Sequence, residues 1–445
     1  MSRSPLSPQA GTSRRDFIRR TSLLAAGGAL AGSALSIARA AQPFGSDEIK
    51  IGLVGCGGRG SGAAVQAMKT SGGPIKLVAM ADVFEDKLQR AYRSIKGQHN
   101  DKVDVPQDQM FIGFDAYKQL LQSKCDVVIL ATPPGFRPIH FAAAIAAGKH
   151  VFMEKPVAVD APGVRQVLEA AKAAKEKNLS VAVGLQRRHE RKYMATVKAI
   201  QDGAIGDIIF ARAYWNGNRP WNNPRQASDS ELRYQMRNWY HFNWLSGDHI
   251  VEQHIHNIDV INWIKNGYPV KAQGQGGRQV MDEDRSGEIF DHHMVEFTYG
   301  DDSVMLSSCR HIPDCWNSVS EHVHGTKGYA DVSGSKIYDA DGKVIHNFGE
   351  LGGDGHQQEH HDVFADLRGG KLADEGEYGA MSTMTSILGR MATYSGKMVS
   401  MDAALKSDLA LAPFDKYQSF DDDAPVKPND KGIYATPRPG ITKAW

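Results

Sequence analysis

The sequence predicts a two-domain α/β protein, with a doubly wound parallel sheet first and an α+β domain on a large, mainly antiparallel open sheet second. Three observations predict it. Between residues 48 and 184 short apolar runs alternate with helical segments, the pattern of a parallel sheet covered on both faces. The first of those runs ends in a glycine-rich turn that opens a helix. After residue 185 helices are followed by several strands with alternating apolar and polar positions, as a sheet with one solvated face requires.

Taken in order, Ile49–Val54, Ile75–Ala81, Val127–Ala131, His150–Met153 and Leu179–Val183 read as buried strands. The segments Gly60–Lys69, Glu85–Lys96, Ala116–Ser123, Pro138–Ala147 and Pro162–Lys177 read as the helices between them, and Gly148 stands where a helix stops before a strand. In the second domain, spanning 185–405, Arg187–Ile200 and Ile250–Ile264 read as helices. Ile208–Tyr214, Val270–Arg278, His293–Tyr299, Val304–His311 and Ser318–His324 read as strands. Phe364–Leu367 and Met381–Met398 read as helices returning to the first domain. The tail, 406–445, carries Pro425, Pro428, Pro437 and Pro439 and reads as extended or loosely ordered.

Residues 1–40 differ from the rest. Ser13-Arg14-Arg15-Asp16-Phe17-Ile18-Arg19 is a twin-arginine pattern, Leu23 to Ile37 is mildly apolar, and Ala38-Arg39-Ala40 suits a signal peptidase. This predicts a leader exported by the twin-arginine machinery and a periplasmic or extracellular mature protein. The leader holds six Arg against one Asp, while the whole chain is at +1, so the remainder is acidic and no nucleic-acid surface is expected. No long uninterrupted apolar run predicts a membrane span in the body. Four cysteines in 445 residues make no disulfide framework; Cys309 and Cys315 are read as unpaired thiols.

The run Val54-Gly55-Cys56-Gly57-Gly58-Arg59-Gly60 places G-x-G-x-x-G at a strand end and a helix start. Gly55 permits the turn, Gly57 lets the backbone approach a pyrophosphate, and Gly60 lets the helix pack on the strand. The helix N-terminus, with Gly58 and Arg59, then offers N–H groups to phosphates. Asp82 ends the second strand, where a carboxylate accepts from an adenosine ribose and repels a 2′-phosphate; capping the next helix is its alternative role. No Arg follows it directly, so NAD is expected in preference to NADP.

Beyond this Rossmann pattern, Ala131-Thr132-Pro133-Pro134, His140 and Ala147-Gly148-Lys149-His150-Val151-Phe152-Met153-Glu154-Lys155-Pro156 resemble the Gfo/Idh/MocA family, which includes glucose–fructose oxidoreductase and inositol dehydrogenase. The resemblance implies cofactor contacts from Thr132, Pro133, His140, Glu154 and Lys155, with Lys155 reaching both nicotinamide and the reacting carbinol. A lysine there stabilises developing alkoxide charge. Inositol-dehydrogenase-like members carry Asp-x-x-x-His-x-x-Asp on a later helix; this chain reads Glu252-Gln253-His254-Ile255-His256-Asn257-Ile258-Asp259. The resemblance makes His256 the acid/base and Glu252 a catalytic or substrate carboxylate four residues away on the same helix face. His254 and Asp259 join the expected substrate site. Glu for Asp, and His254 where the family often has Gly or Ala, are departures that change reach and polarity.

Arg187 and Arg188 fall at the domain junction and either bind substrate hydroxyls or pair with carboxylates. Tyr193, Tyr214, Trp215, Trp221, Trp239, Tyr240 and Trp244 offer faces for sugar rings, or fill a core or subunit interface. Histidines crowd the second domain, among them His241, His249, His254, His256, His292, His293, His311, His322 and His324, and Glu252, His254 and His256 with a strand histidine could hold a metal; no His-Glu-x-x-His pattern occurs and no metal is expected. The reading is thus an NAD-dependent oxidoreductase acting on a sugar, glycoside or polyol hydroxyl, with a tightly bound cofactor and a homo-oligomer formed through the open sheet. Two alternatives stand beside it: a redox-neutral NAD-dependent glycosidase resembling glycoside hydrolase family 109, and a non-catalytic sugar- or cofactor-binding protein.

Overall fold

A computed structural model describes residues 43–281 and 286–445; the expected leader lies outside the described residues. The first domain runs β1 (Ile49–Val54), α1 (Gly58–Met68), β2 (Ile75–Asp82), α2 (Glu85–Gln98), β3 (Met110–Ile112), α3 (Ala116–Leu121), β4 (Val127–Leu130), α4 (Arg137–Ala146), β5 (His150–Met153), α5 (Ala161–Glu176) and β6 (Val181–Val183). The six strands are parallel in the order β3-β2-β1-β4-β5-β6. Ile51, Leu53, Val128, Ile129 and Phe152 are fully buried, because helices cover both faces of this sheet. The order reverses between β1 and β4, and ligands of such sheets bind at that switch point, outside the carboxyl ends of the strands. β3 escaped the sequence reading: three residues, none buried, give no apolar run.

The second domain continues with α6 (Arg191–Gln201), β7 (Ile208–Gly217), α7 (Glu231–Arg237), α8 (Asn243–Ser246), α9 (His249–Glu252), α10 (Ile255–Lys265), β8 (Lys271–Gly277), β9 (His292–Thr298), β10 (Val304–His311), β11 (Ser318–Gly325), β12 (Gly328–Asp331), β13 (Lys336–Asp339), β14 (Val344–Asn347), α11 (Gly355–Gly369), α12 (Gly376–Ser395), β15 (Val399–Ser400) and α13 (Met401–Leu405). Its nine strands follow β14-β13-β12-β11-β7-β10-β9-β8-β15. β7 and β10 run parallel, and the other described pairs are antiparallel. Along β9 and β10 every second residue is buried, so one face packs on α10 and α12. The opposite face leaves Met294 51% exposed, one strand away from Tyr214 across Ser308, and Tyr214 meets the 64% exposed Trp316 edge-on. α11 and α12 return to the first domain, against α1 and α5 respectively.

Two expectations change here. The helix expected over Ile250–Ile264 is broken at Gln253–His254, between α9 and α10. The tail is extended but not loose: Tyr417, Ala424 and Tyr434 are buried in a cluster with Phe84, Phe136, Leu232, Tyr234, Phe242 and Trp244. Its anchors are aromatic residues spaced irregularly among prolines, a pattern without helix or strand periodicity. The four cysteines are unpaired, three buried and Cys315 exposed.

Candidate active site at the domain junction

The glycine loop forms the floor. Gly55 has φ +97, and a Cβ there would lie 2.6 Å from the Ala131 carbonyl carbon and the Thr132 nitrogen. A Cβ on Gly60 would lie 2.0 Å from the Gly55 carbonyl oxygen. Around Gly57 and Gly58 nothing stands within 4 Å of such an atom, so the loop backbone is bare toward the cavity. The N-terminus of α1 has neither a side-chain cap nor an acidic residue in its first turn. Its N–H groups are therefore left to an anion, which is the fit a pyrophosphate needs. The adjoining cavity of about 850 Å³ is lined by Gly55, Gly57, Gly58, Arg59, Asp82, Thr132, Pro133 and His140.

Asp82 is held open to this cavity by its own backbone neighbours. Oδ2 accepts from the Cys56 N–H at 2.6 Å and Oδ1 from the Phe84 N–H at 2.8 Å. Burial, against those two hydrogen bonds, raises its carboxyl above the usual range. Lys87, Arg90 and Arg237 line the same cavity, cationic neighbours that the sequence order did not place together. The Thr132 hydroxyl meets His140 Nδ1 at 3.1 Å. Burial and then Arg137 hold that imidazole neutral, at about 3. Arg137, missed from the sequence, is 1% exposed and donates to the Leu130 and Thr132 carbonyls, fixing the turn after β4.

The reaction end lies past Arg59, whose Nε is 2.8 Å from Glu154 Oε1. Lys155, next in the chain, reaches across the junction. Its ammonium donates to the Glu252 backbone carbonyl at 2.6 Å and to Glu252 Oε1 at 3.0 Å, both side chains nearly buried. This contact accompanies the helix break: the Glu252 carbonyl serves Lys155, and the His256 N–H instead donates to the Gln253 carbonyl at 3.2 Å. His256 is 7% exposed, its ring 5.9 Å from that of Trp215 at 25°, and its Nδ1 has no hydrogen-bond partner among the described residues. Burial first, then the charges of Lys155, Arg187 and His356, hold it well below the usual histidine range. Such an imidazole is neutral and able to accept a proton at neutral pH.

Three expected substrate contacts are engaged elsewhere. His254 is fully buried, with Nε2 2.8 Å from the Ser307 hydroxyl, and burial holds it at about 3. Arg188 and Asp259 pair with each other through two 2.9 Å hydrogen bonds, and Ser382 donates to Asp259 at 2.7 Å. Of the alternatives for Arg188, carboxylate pairing is the one observed. Arg187 likewise pairs with buried Glu321, which also accepts from Tyr193 at 3.1 Å and Asn257 at 2.6 Å. The aromatic residues divide: Trp215 faces His256, Trp221 and Trp239 line the dinucleotide cavity, Tyr193, Tyr240 and Trp244 are buried in the core, and Tyr214 lies on the outer sheet face.

α11 adds residues that no motif announced. It brings His356 and Glu359 to Arg59 and Glu154. Glu359 is 1% exposed, neither carboxyl oxygen has a hydrogen-bond partner among the described residues, and burial followed by the Glu154 charge raises it well above the carboxylate range. Among the described residues one triad has ligand atoms close enough for a metal, Asp248, His249 and His293, a set different from that considered in the sequence. Its carboxylate is already engaged by donors, the His249 N–H at 2.6 Å and Nδ1 at 2.8 Å, the Phe290 N–H at 2.9 Å and the Tyr394 hydroxyl at 2.6 Å, with His293 Nε2 3.2 Å away. The triad therefore reads as a hydrogen-bonded brace for the segment leading into α9.

A glycine cradle at the switch point of a parallel sheet, facing a second domain on an open sheet, defines a two-domain, NAD-binding oxidoreductase fold. The chain belongs to the Gfo/Idh/MocA oxidoreductase family: residues 49–185 match the model of its NAD-binding Rossmann domain and residues 193–331 that of its C-terminal domain. The inositol 2-dehydrogenase of Klebsiella pneumoniae (strain 342) is 27% identical over 218 residues, 49% of this chain and 55% of that protein. The chain spans about half the length of that curated relative. The scyllo-inositol dehydrogenase of Lactobacillus casei, solved with NAD(H) and scyllo-inositol, superposes with TM-score 0.61 at 22% identity over 80% of this chain and all of its own. A levoglucosan dehydrogenase solved with NADH gives TM-score 0.63 at 17% identity, covering 80% and 99%. These two likenesses bear on the fold.

Proposed function

We propose that this protein oxidises or reduces a secondary hydroxyl of a polyol, sugar or glycoside with a nicotinamide dinucleotide. The observation that carries the reading is the Lys155–Glu252 pair beside His256, a neutral buried imidazole with a free Nδ1. A bound NAD supplies the hydride acceptor. His256 takes the hydroxyl proton, Lys155 stabilises negative charge on the carbinol oxygen, and Glu252 holds Lys155 in place. Trp215 offers an apolar ring face beside His256 for the substrate's C–H groups. The family membership and the activity of the inositol 2-dehydrogenases that the chain resembles support the substrate class. The test is a panel of polyols, sugars and glycosides, followed by NADH formation and mass detection of keto products; no product from any member overturns it.

NAD is the expected cofactor in preference to NADP, and it stays bound between turnovers. The twin-arginine leader supports export to the periplasm or beyond, where free dinucleotide is not assured. A roofed cofactor cavity also favours a second reading, redox-neutral glycoside cleavage in which the dinucleotide is reduced and reoxidised in place. Release of the aglycone from chromogenic glycosides without net NADH separates the two. The uncovered sheet face around Met294, Tyr214 and Trp316 supports a homo-oligomer.

A further inference from the structure

The cavity has walls from both domains. Its far side is made by Trp221, Asn223, Met236, Arg237 and Trp239, facing Asp82, Phe84 and Lys87. In a Rossmann domain the residues at the end of the second strand meet the adenosine, so this far side stands over the adenosine end. The two indoles lie 6.2 Å apart and inclined at 62°. The backbone that carries them is pinned: His241 Nε2 is 2.7 Å from the Trp221 carbonyl, Asn223 N–H donates to Asn238 Oδ1 at 2.7 Å, and Asn223 Nδ2 donates to the Arg237 carbonyl at 3.0 Å. Arg237 is anchored to buried Asp229 at 2.7 Å.

We propose that Trp221, Asn223, Arg237 and Trp239 form an adenosine subsite, in which the second domain stacks on the base and closes over the ribose of the dinucleotide. This rests on reading the cavity as a dinucleotide site. The tail keeps the roof down. Phe420 stacks on Phe84 at 4.9 Å, the Arg233 guanidinium covers both rings at 4.7 and 5.4 Å, and Ser230 donates to the Phe420 carbonyl. Further along, the Val426 carbonyl accepts from Gln235 at 2.7 Å, and Tyr434 meets Arg225 at 3.0 Å. Segment 414–434 thus ties α7 to the wall made by β2.

The experiment uses the mature protein stripped of dinucleotide and two half-ligands, ADP-ribose and nicotinamide mononucleotide, each titrated by calorimetry. Trp221→Ala removes a side chain that is 47% exposed, so the fold survives it. Trp221→Ala and Trp239→Ala each weaken ADP-ribose by about tenfold, the order of one lost base–aromatic stack, and leave the mononucleotide within about twofold. Phe420→Ala speeds ADP-ribose release at least about tenfold while thermal melting confirms a folded chain. Unchanged ADP-ribose affinity in both tryptophan variants, or equal weakening of both half-ligands, overturns the subsite. If no polyol or glycoside is turned over but the tenfold loss is found, the subsite stands and the activity reading falls.

Discussion

The Lys155 ammonium sits 2.6 Å from the backbone carbonyl and 3.0 Å from Oε1 of Glu252, so one residue of the second domain grips it twice. The bidentate hold crosses from the end of β5 to the end of α9 and fixes a charge where the domains meet. A lysine so placed has little rotamer freedom left to lose when substrate arrives.

Lys155→Ala and His256→Ala each slow the chemical step on the order of 10²–10⁴-fold, the range of a lost acid–base group, with dinucleotide still bound. Single-turnover kinetics measures this. The double variant loses less than the product of the single losses, because the groups act on one proton transfer. Losses below about tenfold in both single variants would place the chemistry elsewhere.

The pH profile of kcat/KM carries a sign. His256 is active as a base when neutral, and burial with Lys155 nearby lowers its protonation point well below 6.5. Its limb therefore lies on the acid side of that value, and activity holds as pH falls through 6.5. Lys155→Met removes one cause of the depression and moves the limb upward. A limb centred at or above 6.5 in the parent protein contradicts this placement.

His254 bears on stability rather than chemistry. Its folded value of about 3 lies below the unfolded 6.5, so its contribution is present above 6.5 and is lost as pH falls toward 3. Between pH 6 and 4 the parent protein loses stability faster than His254→Gln, by about 1.4 kcal/mol per pH unit. Urea unfolding across that range reads the difference; parallel slopes count against it.

For the cofactor, calorimetry should give tighter binding of NAD than NADP, since Asp82 sets a carboxylate against a 2′-phosphate. Asp82→Ala narrows the gap, because it removes the carboxylate whose charge acts on Lys87. Tighter NADP binding by the parent protein means the cations of the cavity outweigh Asp82.

Retention is tested without substrate. Mature protein purified with no added cofactor, then denatured, should release close to one dinucleotide per chain. An empty protein that needs free NAD in micromolar excess for steady turnover would falsify the trapped-cofactor reading and leave the oxidoreductase intact.

Much of this was legible in the sequence. The buried strands Ile49–Val54 and His150–Met153 are short, mainly apolar runs, and the glycine loop and Glu154-Lys155-Pro156 are contiguous, so local order encodes them. What escaped depends on partners distant in the chain. The pattern over Ile250–Ile264 reads as one helix, with Glu252 and His256 on one face, yet a lysine 97 residues upstream takes the Glu252 carbonyl. His254, Arg188 and Asp259 looked like site residues by type and position; only the packing of Ser307, Ser382 and each other turns them inward. Arg137, His356 and Glu359 belong to no motif, and Trp221 and Trp239 join the cavity through a loop whose sequence carries no periodicity.

The brace over the cofactor roof has a temporal side. The floor of the cavity is drawn from residues 54–140, the roof from 221–239, and the brace from 414–434. Synthesis delivers them in that order. A nascent chain can therefore shape the glycine cradle and even the roof while the brace is still unmade, and dinucleotide entering at that stage meets an unlatched chamber. Closure waits for the last of the three segments. A chain ending before residue 414 would lack the aromatic residues that join α7 to Phe84.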